Sequence, residues 1–301
     1  VRVLVLGARG FVGGHTVACL RALPGVRVLV GGRAAGNDLC ADLGSVPVPV
    51  LASAVRELAV DAVVNCAGAV GGDPTALAEA NARGPAVLCA ALALAAPGVR
   101  LVHLGSAAEY GAGPEGVALS ESAPVCPVGV YGATKLAGTL TVVAAPLDAV
   151  VLRVFNPVGP GAPAAGLPGR LAAELRRQGR DGTVRVGDLS AYRDFVDVRD
   201  VARAAVLAVT APGTLPRLVN VAAGRAVPVR ELVRQLASAA GFRGALEESG
   251  AVSARSGGVG WQRADITLAA RALGWRPRIP LTESVRDLWC ASAPRVARGV
   301  S

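Results

Sequence analysis

The sequence predicts an α/β protein: a doubly wound parallel sheet joined to a smaller, interwoven C-terminal α/β part. Three observations carry this. Short β-branched runs alternate with Ala/Leu-rich stretches through the first half, the signature of a parallel sheet with helices on both faces. The first run, VRVLVL, is apolar at nearly every position, as a strand covered on both faces should be. The chain has 301 residues, 52% hydrophobic and 18% charged, with mean hydropathy +0.47. That is enough for a sizeable core and excludes intrinsic disorder. Aromatics make only 3%, so the core must be built from Ala, Val and Leu.

The predicted strands are 1–6, 26–30, 62–65, 101–104 and 150–153. Helical patterns lie between them near 11–22, 53–58, 74–95 and 131–145. After Phe155 the alternation breaks. Residues 156–169 (NPVGPGAPAAGLPG) are dense in Pro and Gly and read as loop. A short helix at 171–177 follows, then a turn and helix over 194–209 and a strand at 217–221. A helix over 229–240 opens behind Pro228, and two short helices flank 276–280. This pattern assigns 1–156 and 194–221 to one domain and 157–193 and 222–301 to a second.

Composition narrows the function classes. The 38 glycines and 20 prolines follow no G-X-Y period. The longest apolar stretch without charge or proline, 86–96, ends at Pro97, short of the roughly 20 residues of a membrane span. The chain opens directly on VRVLVLG, without a basic region leading a cleavable apolar segment, so the expectation is a cytoplasmic protein with no membrane partner. Six scattered cysteines with no C-x-x-C, and two histidines, point away from a disulfide framework or a metal site. Net charge is +9 and uneven: residues 1–150 carry 9 basic and 10 acidic side chains, residues 151–301 carry 22 and 12. No basic run with interleaved aromatics exists, so nucleic acid is not the expected partner. An anionic small substrate held by the second half, or a compositional bias toward Arg, accounts for the asymmetry.

The first strand runs straight into Gly7-Ala-Arg9-Gly10-Phe11-Val12-Gly13, a G-x-x-G-x-x-G turn opening a helix. The first glycine permits the tight turn, the second lets a pyrophosphate approach the backbone, and the third lets helix pack on sheet. The helix N-terminus then offers N–H groups to the anion. This makes the first domain Rossmann-type and dinucleotide-binding. A carboxylate at the end of the second strand would bond the ribose hydroxyls of NAD. Gly31-Gly32-Arg33 stands there instead, and Arg33 with Arg9 makes a positive corner suited to a 2′-phosphate. The expected cofactor is NADP, with NAD as the alternative. Asp42, with Leu43 in ADL, is a candidate for the adenine end.

Tyr131-Gly-Ala-Thr-Lys135 is Y-x-x-x-K, and Lys135 is the single lysine of the chain. On a helix the two share a face, where an ammonium beside a phenol favours phenolate and suits proton transfer. Ser106 follows a strand at the sheet edge where open α/β folds bind ligands, placed to polarise a reacting oxygen.

Together these residues resemble the extended short-chain dehydrogenase/reductase family, the NAD-dependent epimerase/dehydratase group acting on nucleotide sugars. GARGFVG is similar to its cofactor turn, and NCAG (with Ala67 and Gly68) to its fourth-strand motif. Asn81 in ANARG resembles its helix asparagine, which would complete a proton path. LGSAAEYG carries Ser106, and PVGVYGATK carries the pair. LRVFNPVGPG resembles R-x-x-N-x-x-G-P, and YRDFVDVRDVA the R-D-F-x-x-V-x-D-V segment. ALGWRPRIPLTESVRDLW resembles the family's C-terminus. The resemblance implies catalysis by Ser106, Tyr131 and Lys135, with cofactor contacts from Tyr131 and Lys135 too. It implies substrate diphosphate contacts from Asn156, Arg193 and Arg255 beside Ser106, and a homodimer formed by the helices at 74–95 and 131–145. The family's 4,6-dehydratases carry Asp-Glu directly after the serine or threonine; Ala107-Ala108 stand here, and Glu109 should face another way. The motifs look most like reductases of nucleotide-linked 4-keto-6-deoxyhexoses. A nucleotide-sugar 4-epimerase, a ketoreductase of a secondary metabolite and a non-catalytic dinucleotide sensor are the alternatives.

Overall fold

The computed structural model describes residues 1–250 and 258–293. The chain begins with β1 (Arg2–Leu6), α1 (Phe11–Arg21), β2 (Arg27–Gly32), β3 (Leu39–Cys40), α2 (Val48–Leu58) and β4 (Ala62–Asn65). It continues through α3 (Pro74–Ala78), a π-helical turn (Glu79–Arg83), α4 (Gly84–Ala95), β5 (Arg100–Ser106), a 3₁₀ turn (Ala107–Glu109), α5 (Val130–Ala144) and β6 (Ala149–Val154). The later half comprises β7 (Pro157–Val158), α6 (Leu167–Gln178), β8 (Thr183–Val186), β9 (Tyr192–Asp194), β10 (Val196–Asp197), α7 (Val198–Thr210) and β11 (Leu218–Val221). It ends with β12 (Ala226–Pro228), α8 (Val229–Ala239), β13 (Ala245–Glu248), α9 (Thr267–Leu273) and α10 (Leu281–Ala291).

Seven strands form one parallel sheet in the order β3-β2-β1-β4-β5-β6-β11. Strand order reverses between β1 and β4, where such sheets open a ligand crevice at their carboxyl ends. The register sets the height of each motif there: Leu6 pairs with Gly31 and Asn65, and Asn65 with His103. β5 runs three residues further and lifts Ser106 above that edge. One sheet face, with Val3, Val5, Val64, Val102 and Leu152, packs on α1 and α7 through Val17, Leu20, Val201 and Ala205. The other, with Leu4, Val63, Leu101 and Val151, packs on α2, α4 and α5 through Leu51, Val55, Leu88, Leu92 and Val142. Aliphatic burial of this kind is worth about 25 cal/mol per Å².

A separate core lies in the later half. Val158, Leu171, Leu175, Val184, Phe195, Leu232, Leu236, Val285 and Leu288 join α6, α8 and α10 around three two-stranded pairings. α8 shows why it folds: Val229, Leu232, Val233 and Leu236 repeat at helical spacing and all are buried.

Three sequence expectations are corrected. Residues 156–169 are not all loop: Pro157–Val158 pairs with β10, and α6 already begins at Leu167. The helix expected at 53–58 starts at Val48. In both helices a proline occupies the first turn, where its missing N–H costs nothing. The helix expected over 74–95 is broken by the π-helical turn around Asn81. Among the described residues no helix is long and apolar enough to cross a membrane.

Candidate active site

At the end of β1, Gly7 takes φ +72°, and a Cβ there would lie 2.7 Å from the Ala67 nitrogen. Only glycine lets the two strand ends approach this closely. Gly10 caps α1 through extended backbone with no side-chain cap, and the first turn holds no acidic residue. A Cβ on Gly13 would collide with the Gly7 carbonyl. The N–H groups of Phe11, Val12 and Gly13 therefore form an uncapped helix end, the chemistry a pyrophosphate requires. Asn65 Oδ1 accepts from Ala67 N at 3.1 Å, shaping the loop through Gly68. A Cβ on Gly68 would stand 2.9 Å from Asn81 Oδ1 and 4.0 Å from Lys135 Nζ; that exposed glycine leaves a cradle beside the lysine.

At the end of β2, Arg33 and Arg9 are exposed. No carboxylate occupies Gly31 or Gly32, and the nearby Asp38 accepts from Val30 N at 2.8 Å. Asp42 is exposed and accepts from Gly44 N at 2.9 Å; Leu43 is buried. Sequence reasoning missed Arg83. From the π-helical turn it donates to Gly44 O at 2.5 Å and to Leu43 O at 3.4 Å, fixing the loop that carries Asp42.

The helix bearing Tyr131 and Lys135 docks on the end of β5. Lys135 is 6% exposed and donates to Leu104 O at 2.5 Å. A Cβ on Gly132 would lie 2.5 Å from Ala108 O. Burial pushes the Lys135 ammonium below its usual pKa, while Glu109 and Cys66 pull it back up. Tyr131 is half-buried at the second position of α5, and its carbonyl accepts from Thr134 Oγ1. Ser106 is half-buried, and its Oγ accepts from Ala108 N at 3.2 Å. Asn81 is buried; its side chain exchanges hydrogen bonds with the Ala69 backbone at 2.9 Å and donates to Thr134 Oγ1 at 3.3 Å. Its amide thus ties the loop after Gly68 to α5.

Glu109 is fully buried and paired with Arg153 at 2.8 Å. Arg153 was not singled out in the sequence; an i, i+44 pairing has no local signal. His103 is also buried, with Nδ1 3.1 Å from Asn65 Nδ2, and burial holds its pKa well below the usual value.

Toward the later half, Asn156 donates to Asp194 O at 3.0 Å. Arg193 is 8% exposed and donates to Tyr192 O at 2.9 Å. Burial lowers its pKa, and Asp188 raises it. Among the described residues, Lys135 and Arg193 are the buried cations without an ion-pair partner. Arg255 lies outside the described residues. Gln262, also unnoticed in the sequence, donates to Ala107 O at 3.1 Å and Gly111 O at 2.5 Å, pinning the serine segment to the C-terminal part.

A strand-order switch point with an uncapped glycine turn and a Tyr–Lys helix at the same sheet edge belongs to a dinucleotide-dependent enzyme of the α/β class. Residues 3–222 match the NAD dependent epimerase/dehydratase family. The chain belongs to that family, of the extended short-chain dehydrogenase/reductase type, and is an NAD(P)-dependent enzyme. A dTDP-6-deoxy-L-talose 4-dehydrogenase (NAD(P)(+)) of Kitasatospora kifunensis is 38% identical over 97% of this chain and 96% of its own length. A UDP-glucose 4-epimerase of Mycolicibacterium smegmatis is 31% identical over 95% and 96%. Among solved structures, MoeE5 in complex with UDP-glucose and NAD superposes with TM-score 0.83 at 30% identity, over 97% of this chain and 98% of that one. RMD from Pseudomonas aeruginosa complexed with NADPH shares the fold, with TM-score 0.82 at 24% identity over 97% and 98%.

Proposed function

We propose that the protein is an NADPH-dependent reductase of the 4-keto group of a nucleotide-diphosphate-linked 6-deoxyhexose, with catalytic residues Ser106, Tyr131 and Lys135. The observation that carries this is the pair of buried cations without ion-pair partners. A buried charge left unpaired costs several kcal/mol, so each needs an anion or a reacting dipole from a ligand. Arg193 would meet the substrate diphosphate, with Asn156 and Arg255 as the further expected contacts. The relative acting on dTDP-6-deoxy-L-talose points the same way: a site that oxidises C4 of a 6-deoxyhexose also reduces the corresponding ketone, since both directions share one transition state.

The residues present fit a nicotinamide dinucleotide. The uncapped amides of Phe11, Val12 and Gly13 would take the pyrophosphate. Asp42 and Leu43 would meet the adenine, Ala67 and Gly68 would flank the chain's path, and Arg9 and Arg33 would meet a 2′-phosphate. The cofactor supplies the hydride when bound. Tyr131 donates its phenolic proton to the sugar C4 oxygen. Lys135, held by Leu104 O, stabilises the resulting phenolate and would hold the nicotinamide ribose. Ser106 donates to the same C4 oxygen and polarises the carbonyl. Residues 1–156 and 194–221 form the cofactor domain in this reading, and 157–193 with 222–301 the substrate domain. The protein works as a homodimer in the cytoplasm, its α4 and α5 faces paired; Leu94 and Leu140 are 64% and 56% exposed there.

Incubation with NADPH and a panel of dTDP- and GDP-linked 4-keto-6-deoxyhexoses tests the reading by loss of the reduced-nicotinamide absorbance. Stoichiometric NADP formation with one of them is expected. NAD that copurifies tightly, with C4 inverted and no net reduction, would establish the epimerase reading instead; the UDP-glucose 4-epimerase relative keeps that second reading in view. Arg33→Ser should weaken NADPH binding about tenfold and leave NADH binding unchanged.

A further inference from the structure

We propose that Glu109 is a positioning residue of the Ser106–Tyr131–Lys135 site, bracing the serine and α5 through one buried carboxylate. The inference deepens the proposed function and rests on it for the roles of those three side chains.

The carboxylate touches three elements. Oε1 accepts from the backbone N of Ser106 at 2.6 Å and from Thr139 Oγ1 at 2.9 Å; Oε2 accepts from Arg153 Nε at 2.8 Å. Ser106 Oγ in turn accepts from Ala108 N, which closes a reciprocal capping box around the 3₁₀ turn. Thr139 lies one helical turn beyond Lys135 on α5, and Arg153 belongs to β6. A single side chain thus fixes the serine's backbone against the helix that presents the tyrosine and lysine. Room for it is built in. A Cβ on Gly105 would lie 2.8 Å from Glu109 Oε1 and 3.2 Å from Thr139 Oγ1, so the strand carries glycine directly above the carboxylate.

The charges facing Lys135 come from each element around it. Glu109 and Cys66 raise its pKa. His103 on β5 is held neutral by burial and by the field of Lys135, and Tyr131 stands on the same helix. Cys66 is itself pushed up to about 12 by burial and stays a neutral thiol at working pH. Arg153 Nε donates to the same carboxylate at 2.8 Å.

The single lysine makes this measurable without substrate. In protein labelled with ¹⁵N-lysine, one Nζ resonance reports the charge of Lys135. In Glu109→Gln its titration midpoint should fall by about one pH unit or more relative to wild type, because a nearby anion is removed. The alkaline limb of the kcat profile should move the same way, with kcat down about thirtyfold and KM within about threefold. Should Glu109→Gln leave Arg153 unpaired and unfold, Glu109→Gln/Arg153→Met removes both buried charges and carries the same expectation for kcat. An unmoved Nζ midpoint in folded Glu109→Gln overturns the proposal, as does an unchanged kcat in either variant. A wild type that turns over no keto sugar of the panel refutes the reductase reading alone, because the Nζ titration still decides the role of Glu109.

Discussion

Two regions of this molecule bury charge in opposite ways. Around α7 and α10, Asp197 accepts from Arg199 N, the Arg199 guanidinium and Ser284 Oγ. Asp200 accepts from Arg278 N at 2.8 Å, Ile279 N at 2.9 Å and the Arg203 guanidinium at 2.7 Å. Each carboxylate is saturated, and each ties a C-terminal segment to the first turn of α7. By contrast, Lys135 donates to the Leu104 carbonyl and Arg193 to the Tyr192 carbonyl, and among the described residues neither has an ion-pair partner. A saturated buried charge organises the fold; an under-satisfied one has capacity left for a ligand. Exposure alone does not separate the two groups, because all four residues are under a tenth exposed.

The sharpest break of that comparison is functional. Tyr131→Phe should lower kcat by about 10²–10⁴-fold, with cofactor affinity and melting temperature near wild type. Loss of cofactor binding instead would mean that the hydroxyl serves the dinucleotide and not the proton. On the saturated side the pattern inverts. Asp200→Ala strands the N–H groups of Arg278 and Ile279 and should cost about 2–4 kcal/mol in chemical denaturation, while kcat per folded molecule stays the same. A large fall in kcat there would show that the two regions are not separable.

Much of this arrangement was legible in the sequence. GARGFVG, the Y-x-x-x-K spacing and the strand before Ser106 are local signals, and the sheet places them at one edge. The partners that hold them are not local. Glu109 meets Arg153 across 44 residues and Gln262 reaches Ala107 across 155, so no spacing announces either. Helix starts inside VPVPV and GLPG were hidden because proline marks loops in general yet is welcome in a first turn. The π-helical turn at Asn81 leaves the apolar pattern of 74–95 intact, and so it could not be read from periodicity.

That turn offers a third test, between the two regimes. A Cβ on Gly138 would collide with the carbonyl of Asn81. Gly138→Ala should therefore push α5 off the π-helical turn, at about 1–3 kcal/mol in stability. Because Lys135 shares α5, kcat should fall with it; a stability loss with kcat intact would place the rigidity of the pair elsewhere.

The smallest effect has the most telling sign. Burial lowers the Lys135 pKa from its ordinary value near 10.5, so the folded chain binds fewer protons there than the unfolded chain between the two values. The cost of burying the ammonium is therefore fully present below the folded pKa. It shrinks as pH rises through the interval and vanishes above 10.5. Lys135→Met removes that cost and should stabilise the protein by about 1–2 kcal/mol at neutral pH while abolishing turnover. Denaturation curves of the two proteins should converge as pH approaches 10.5. A variant less stable than wild type at pH 7 would mean that the ammonium is already saturated within the protein, like the aspartates of α7, and would remove the distinction between the two regions.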